Sequence, residues 1–400
     1  MKPKYHMLIF FSLAMLHSMA ANFAHPITPT LIVNLQLPNY MFGLAFASMA
    51  FTNFLFSPFW GKMRDFFSAR TLLLIGSIGY GFGQYAFSVA QTELSIVLAR
   101  CLSGFFVGAI GVSTLIYIAE TSPTDQTGQN LAKFSITQAI GGALGFFIGG
   151  AVGVYSIRIT FLLQFFTLVT CGILFFIFLK DTEKKTMPAF KTGHFIKEIN
   201  PLKSFLDCKF FMTPSFAVTF LVVTLAGLGT NAFDQNFNYY LKAQFGFSSI
   251  YNGVLKAVTG IITLVVVGTV CMWIMKQKSI KKATGIILAC CGISIALMLA
   301  ADSLLPFFAF GILFYSFNAM YTPLLQECMA REATDKNRNL VMGFYNATRS
   351  LGMIGGALLA GFIYNYGPRI PFFLSIGCFG LAALAMIWVA YRYEKTSEYL

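Results

Sequence analysis

Charge is scarce in this chain. Of its 400 residues, 15 are acidic and 28 are Lys or Arg; charged side chains make up 11% of the sequence and hydrophobic ones 57%. Soluble domains carry about 25% charged and about 45–50% apolar residues. In water this chain would have too little polar surface to cover itself, so the surplus has to face lipid. The same arithmetic excludes intrinsic disorder, a collagen-like fibre and a disulfide-stapled secreted domain. No Cys-x-x-Cys pair occurs among Cys101, Cys171, Cys208, Cys271, Cys290, Cys291, Cys328 and Cys378, most of which sit in apolar runs and read as buried, reduced thiols. There is no His-x-x-x-His or Cys cluster for a metal and no Gly-x-x-x-x-Gly-Lys loop for direct ATP drive; no cofactor is expected. A Ser/His/Asp set or paired carboxylates for an intramembrane enzyme, and a ring-forming polar repeat for a channel, are also missing.

What is present is length without charge. A helix crossing the ~30 Å hydrocarbon layer needs ~20 mainly apolar residues. Twelve stretches qualify, near 7–25, 43–60, 71–89, 94–119, 132–152, 159–179, 210–233, 249–275, 283–301, 303–326, 340–364 and 370–391. A polar stretch from Lys180 to Lys209 with seven lysines divides them six and six. The expected domains are therefore 1–180, a linker at 181–209, and 210–400. The first stretch, with Lys2 and Lys4 ahead of it, also has the look of a signal peptide. Its length and its place in the repeat described next favour a retained helix.

The net charge of +13 would suggest nucleic acid on a soluble protein. Here the basic residues fall between apolar runs, and no nucleic-acid partner is expected. Twenty-two Lys and Arg lie on one side of the alternating spans, and Arg158, Lys242 and Arg369 on the other. That asymmetry predicts a multi-pass protein of the inner (cell) membrane with both termini and the long loop in the cytoplasm.

The halves match at an offset of 211 residues: Gly141, Gly145 and Gly150 fall on Gly352, Gly356 and Gly361, Ser68 on Ser279 and Arg70 on Lys281. Parallel six-helix repeats around a central pathway are a transporter architecture.

The stretch Gly61-Lys-Met-Arg-Asp65-Phe-Phe-Ser-Ala-Arg70 lies between spans two and three. It resembles the loop signature of the major facilitator superfamily, with Gly61, Asp65 and Arg70 in place but Ser68 and Ala69 where a glycine and a basic residue are usual. Arg100-Cys-Leu-Ser-Gly104 is similar to the Arg-x-x-x-Gly pattern of proton-coupled members; snorkelling of Arg100 to the interface is the simpler alternative. Gly141, Gly145, Gly149 and Gly150 resemble the span-five signature of antiporters, with Phe146 in place of the usual Pro. Glycines at this spacing admit a neighbouring backbone closely. His25-Pro26-Ile-Thr-Pro29 and Thr230-Asn-Ala-Phe-Asp234-Gln-Asn-Phe-Asn-Tyr-Tyr240 are similar to stretches of the twelve-helix drug:proton antiporters, the NorA-type efflux pumps.

The resemblance implies an all-α integral membrane protein of the major facilitator fold, its two six-helix bundles related by a pseudo-two-fold along the membrane normal. It implies a secondary transporter rather than an enzyme, exporting small amphipathic compounds against protons, with a monomer sufficient for the pathway. Asp234 would carry the proton with help from Arg100, because burial in apolar surroundings lets a carboxyl accept a proton in one conformation and release it in the other. Asp234 could instead cap the outer end of span seven in water. Relatives carry a second acid where Asn318 stands here, and some carry one at Asn22. Glu93, Asp302, Glu120 and Glu327 sit at span ends, and His17 reads as a packing residue.

The pathway spans offer Asn22, Gln138, Asn231, Asn318, Asn346 and Arg349 as polar cavity candidates. An unpaired Arg349 would favour an anionic or zwitterionic cargo; pairing with Glu120 or Asp125 would remove that preference. A dedicated carrier for one metabolite, organic anion, sugar or lipid-linked sugar is the competing function.

Overall fold

A computed structural model describes residues 3–64, 66–122, 127–180, 200, 202, 206, 209, 211–277, 279–334 and 338–393. Asp65, Asp125 and almost all of the expected linker at 181–209 lie outside them. The described residues are helical throughout apart from short connections. Twelve helices are long and apolar enough to cross a membrane. They are span one (His6–Asn34), two (Met41–Met63), three (Ala69–Val89), four (Glu93–Thr121), five (Lys133–Tyr155) and six (Ile157–Phe178). The second set is span seven (Pro214–Ala243), eight (Ser249–Met275), nine (Ile280–Leu299), ten (Leu304–Glu332), eleven (Val341–Tyr364) and twelve (Ile370–Arg392). Their outward positions carry large apolar side chains such as Leu98, Phe166, Phe373 and Leu384, all exposed. That inverts the soluble pattern and suits a hydrocarbon solvent, where each backbone polar group must be satisfied within the helix.

Caps and breakers set the local geometry. Ser68 accepts a hydrogen bond from the Thr71 N–H at the start of span three, and Thr92 and Ser95 cap span four reciprocally. Span one is not straight. Its first helix stops at Ala21, a single 3-10 turn runs from His25 to Ile27, and a short helix continues from Thr28 to Asn34. Pro26 and Pro29 lack the N–H groups an unbroken helix would need there. The carbonyls of Ala20 and Ala21 are taken up by the Gln164 amide at 3.0 and 3.2 Å, and Tyr80 O–H also donates to Ala21 at 3.2 Å.

The packing repeats between halves. Span three lies along spans four and six, and span nine lies along spans ten and twelve. The chain divides into two compact units. One holds span one, span two from Ser48, spans three to six and span eight up to Gly260. The other holds Phe42–Ala47 of span two, span seven to Tyr240, span eight from Ile261 and spans nine to twelve. Each unit thus takes a helix segment from the other half of the sequence. In the first unit, Ser249 Oγ donates to the Gly150 carbonyl at 2.9 Å. In the second, Gly43 lies so close to the Ala357 carbonyl that no Cβ would fit.

Candidate substrate and coupling site

Asp234 is not at a helix end. Span seven continues to Ala243, which sets Asp234 about 13 Å inside the helix at 1.5 Å per residue and removes the capping alternative. Tyr315 of span ten donates its hydroxyl to Asp234 Oδ1 at 2.7 Å. Aromatic rings pack around Tyr315, and Asp234 itself is half-buried. Phe233 packs on Phe314 with ring centroids 4.0 Å apart, and also against Tyr315 and Phe372. Phe237 stacks on Phe307. A carboxylate in such a wall is costly unless hydrogen-bonded, and Tyr315 supplies that bond.

One turn away, Thr230 Oγ1 donates to Asn318 Oδ1 at 2.9 Å and lies 2.8 Å from the Tyr321 hydroxyl. A threonine has one proton to give, so Tyr321 is the donor to Thr230. Tyr315, Asn318 and Tyr321 recur every three residues on span ten, and Thr230 and Asp234 are four apart on span seven. The result is a polar ladder between the two helices within the second unit. Of the residues expected from sequence, this ladder contains Asp234 and Asn318. Tyr315, Thr230 and Tyr321 were missed; their helical spacing was the available signal.

The other cavity candidates are placed differently. Asn231 is buried and donates to the Gly227 carbonyl of its own helix at 3.2 Å. Asn22 donates in the same way to the Ser18 carbonyl at 2.8 Å. Gln138 is exposed on span five, and its carbonyl accepts from Ser18 Oγ. Asn346 is exposed on span eleven. Arg349 is half-buried beside Tyr345, and its Nε has no hydrogen-bond partner. Of the two acids expected as partners of Arg349, Glu120 has its carboxylate held by Arg64, and Asp125 lies outside the described residues.

Arg100 does not snorkel. It is 3% exposed, with its guanidinium 4.7 Å from the centroid of Phe87. It lies in the first unit, whereas Asp234 lies in the second. A cation over a ring face is stabilised by the quadrupole where water is excluded. Lys256, which like Arg100 and Arg349 lies more than one turn inside its span, is 5.8 Å from the Phe146 centroid, and that ring stacks on His25 at 5.4 Å.

In the loop between spans two and three, Arg70 sits over Phe176 at 5.0 Å. Gly61 has ordinary surroundings, with Val112 nearest. The clearest contact of this loop is one the motif does not announce. Arg64 binds both oxygens of Glu120 at the end of span four and also donates to the Phe67 carbonyl at 3.2 Å. Outside the spans, Tyr40 donates to a carboxylate oxygen of Glu93. That bond, then loss of water and the negative field of Glu93, hold the phenol above its ordinary value.

The span-five glycines form one packing face. Gly141, Gly145 and Gly149 bring span five against the carbonyls of Met15, Met19 and Phe23 in span one, leaving no room for a Cβ. Gly352 and Gly356 do the same on Thr224 and Leu228 of span seven. Gly150 points instead toward span eight.

Twelve apolar spans, a packing pattern repeated between halves and an interior acid define a secondary transporter of small molecules. Residues 10–333 and 283–399 match the Major Facilitator Superfamily, and the chain belongs to it. It is an all-α, multi-pass integral membrane protein with that fold. It is 24% identical over 370 residues to the quinolone resistance protein NorA of Staphylococcus aureus (strain MRSA252), covering 91% of each chain. It is 20% identical to multidrug resistance protein 1 of Bacillus subtilis (strain 168), covering 93% of each. Among solved structures, the nucleoside transporter NupG superposes with a TM-score of 0.77 at 13% identity, covering 97% of this chain and 99% of that one.

Proposed function

We propose that the protein exports small amphipathic compounds in exchange for protons, from a cell membrane in which both termini face the cytoplasm. Alternating access comes from rocking of the two six-helix bundles. The observation that carries this reading is Asp234. Among the described residues it is the one acid more than two turns from the end of its span, and it is held by Tyr315 in an aromatic wall. Protonated, it is compatible with that wall; ionised, it needs its hydrogen-bond donor and water. An acid whose surroundings differ between two conformations couples proton movement to the conformational cycle. Arg100 contributes a fixed positive charge inside the first unit. Gly61, Asp65 and Arg70 form the conformational hinge loop, and the span-five glycines form the sliding seam. The distant relatives named for quinolone and multidrug resistance support the cargo class.

Inverted vesicles holding an imposed proton gradient test the reading. Adding a hydrophobic dye or a quinolone should dissipate the gradient. Asp234→Asn should abolish gradient-driven transport while cargo binding stays measurable. Full transport in that variant would remove Asp234 from the coupling role. A dedicated carrier for one metabolite or organic anion is the second reading, favoured by the unpartnered Nε of Arg349. It requires indifference to a drug panel and response to a single compound.

A further inference from the structure

Among the described residues, three cations lie more than one turn from either end of their span, and their surroundings differ. Arg100 is buried over Phe87, and Lys256 lies near the ring of Phe146. Arg349 has no comparable seat. Its Nε is buried without a partner, and no ion pair or ring contact involves it among the described residues. Its Cα lies eight residues inside span eleven, which is about 12 Å at 1.5 Å per residue. A guanidinium at that depth is expensive without a counter-charge, which makes an ionisable residue there a functional site by default. Of the two acids expected as partners, Glu120 is occupied by Arg64 and Asp125 lies outside the described residues.

The neighbours of Arg349 lead to the ladder on spans seven and ten. Tyr345, one helical turn before Arg349, donates its hydroxyl to the carbonyl of Thr322, the residue after Tyr321 on span ten, at 3.4 Å. Tyr321 in turn bonds Thr230, which bonds Asn318. The Arg349 backbone abuts Gly227, seven residues before Asp234 on span seven. The backbone of Arg349 therefore meets span seven about 10 Å along that helix from Asp234, and Thr230, bonded to Asn318 and Tyr321, lies on span seven between the two points.

We propose that Arg349 is the anion-recognition residue of the cargo site, and that the cargo it selects is an amphipathic carboxylate. The carboxylate pole sits on the guanidinium, and the rest of the molecule extends along the ladder toward Asp234. A planar guanidinium presents paired donors that match a carboxylate. This rests on the exporter reading and adds the charge class of what is carried.

A matched dye pair tests it: a rhodamine with a free carboxylate and the methyl ester of the same rhodamine. Equilibrium binding to the purified protein, read by fluorescence anisotropy, needs no proton gradient. Wild type should bind the acid about tenfold tighter than the ester or better. Arg349→Gln should bring the two to equal affinity by weakening the acid and leaving the ester unchanged; unchanged ester binding also shows that the variant is folded. Arg349→Lys should keep part of the preference.

Equal binding of both dyes by wild type, or a preference that survives Arg349→Gln, overturns the assignment while leaving the exporter reading intact. Wild type that binds neither dye overturns both. If Arg349→Gln binds neither dye, Arg349→Lys decides. A retained preference for the acid supports the proposal. Loss of the preference, or of ester binding as well, overturns it, since the ester offers no carboxylate for residue 349 to hold.

Discussion

Arg64 and Glu120 meet as two forks: Nε to Oε1 at 3.0 Å and Nη2 to Oε2 at 2.9 Å. The contact ties the end of span two to the end of span four. Shifted by the 211-residue repeat, the same two places are Met275 and Arg331. There the charge has changed sides. Arg331 now sits at the end of span ten and donates to the carbonyls of Met275 and Gln277, while Glu327 accepts from its Nε at 2.8 Å. Both halves join the same pair of helix ends through a guanidinium, supplied once from the loop and once from the even-numbered helix.

Replacing Glu120 takes a bidentate carboxylate away from Arg64, which is 8% exposed. Glu120→Gln should destabilise the protein by ~1–3 kcal/mol, the worth of a charge-assisted contact at a partly buried site. Thermal unfolding in detergent measures it. The swapped pair Arg64→Glu with Glu120→Arg should recover part of the loss, and no recovery would mean that the contact contributes little.

The glycine seam gives a contrast between two sites. Gly145 lies against the Met19 carbonyl, whereas a Cβ at Gly111 would meet nothing within 4 Å. Gly145→Ala should cost ~1–3 kcal/mol through forced separation of spans one and five. Gly111→Ala should be neutral or stabilising by up to ~1 kcal/mol, because alanine is the better helix former. Equal thermal midpoints for the two variants would remove the close-packing role of the seam.

Tyr315 supplies a hydrogen bond to Asp234 that phenylalanine cannot. Tyr315→Phe preserves the ring packing against Phe233 and Phe314, so cargo binding should persist. A lost hydrogen bond to a charged group is worth about 1.5–3 kcal/mol, which predicts at least a tenfold fall in gradient-driven flux. Unchanged flux would show that the carboxylate needs no help from span ten.

The sequence located all twelve spans because a long run without charge has few places to go but lipid. It misjudged where some of them end. The Gln235-to-Tyr240 stretch of span seven reads as too polar for a span interior, so the expected boundary fell at 233. In the fold Asn236 is fully buried, and its amide reaches the Pro368 carbonyl at 3.3 Å. A partner 132 residues away cannot be read from local pattern. Likewise Pro26 and Pro29 suggested the end of span one, yet the helix bends and resumes to Asn34. Asp234 was legible through the resemblance of the Thr230-to-Tyr240 stretch to the drug:proton antiporters. The tyrosines around it were not, because aromatic residues are so common in this chain that none stood out. Glu120 pointed outward to an interface or across to Arg349, and its true partner, Arg64, was visible only once the two helix ends were in space.

The broken helix has a consequence for how the duplicated halves diverged. Span one is fractured at its prolines, but protein donors from spans three and six already occupy the loosened carbonyls, which fixes the elbow and leaves little there for a visiting cation to exploit. Its counterpart, span seven, stayed continuous and gained an acid instead. Duplication thus preserved the joinery and let the copies take up separate trades, one supplying a rigid bend and the other an interior carboxyl.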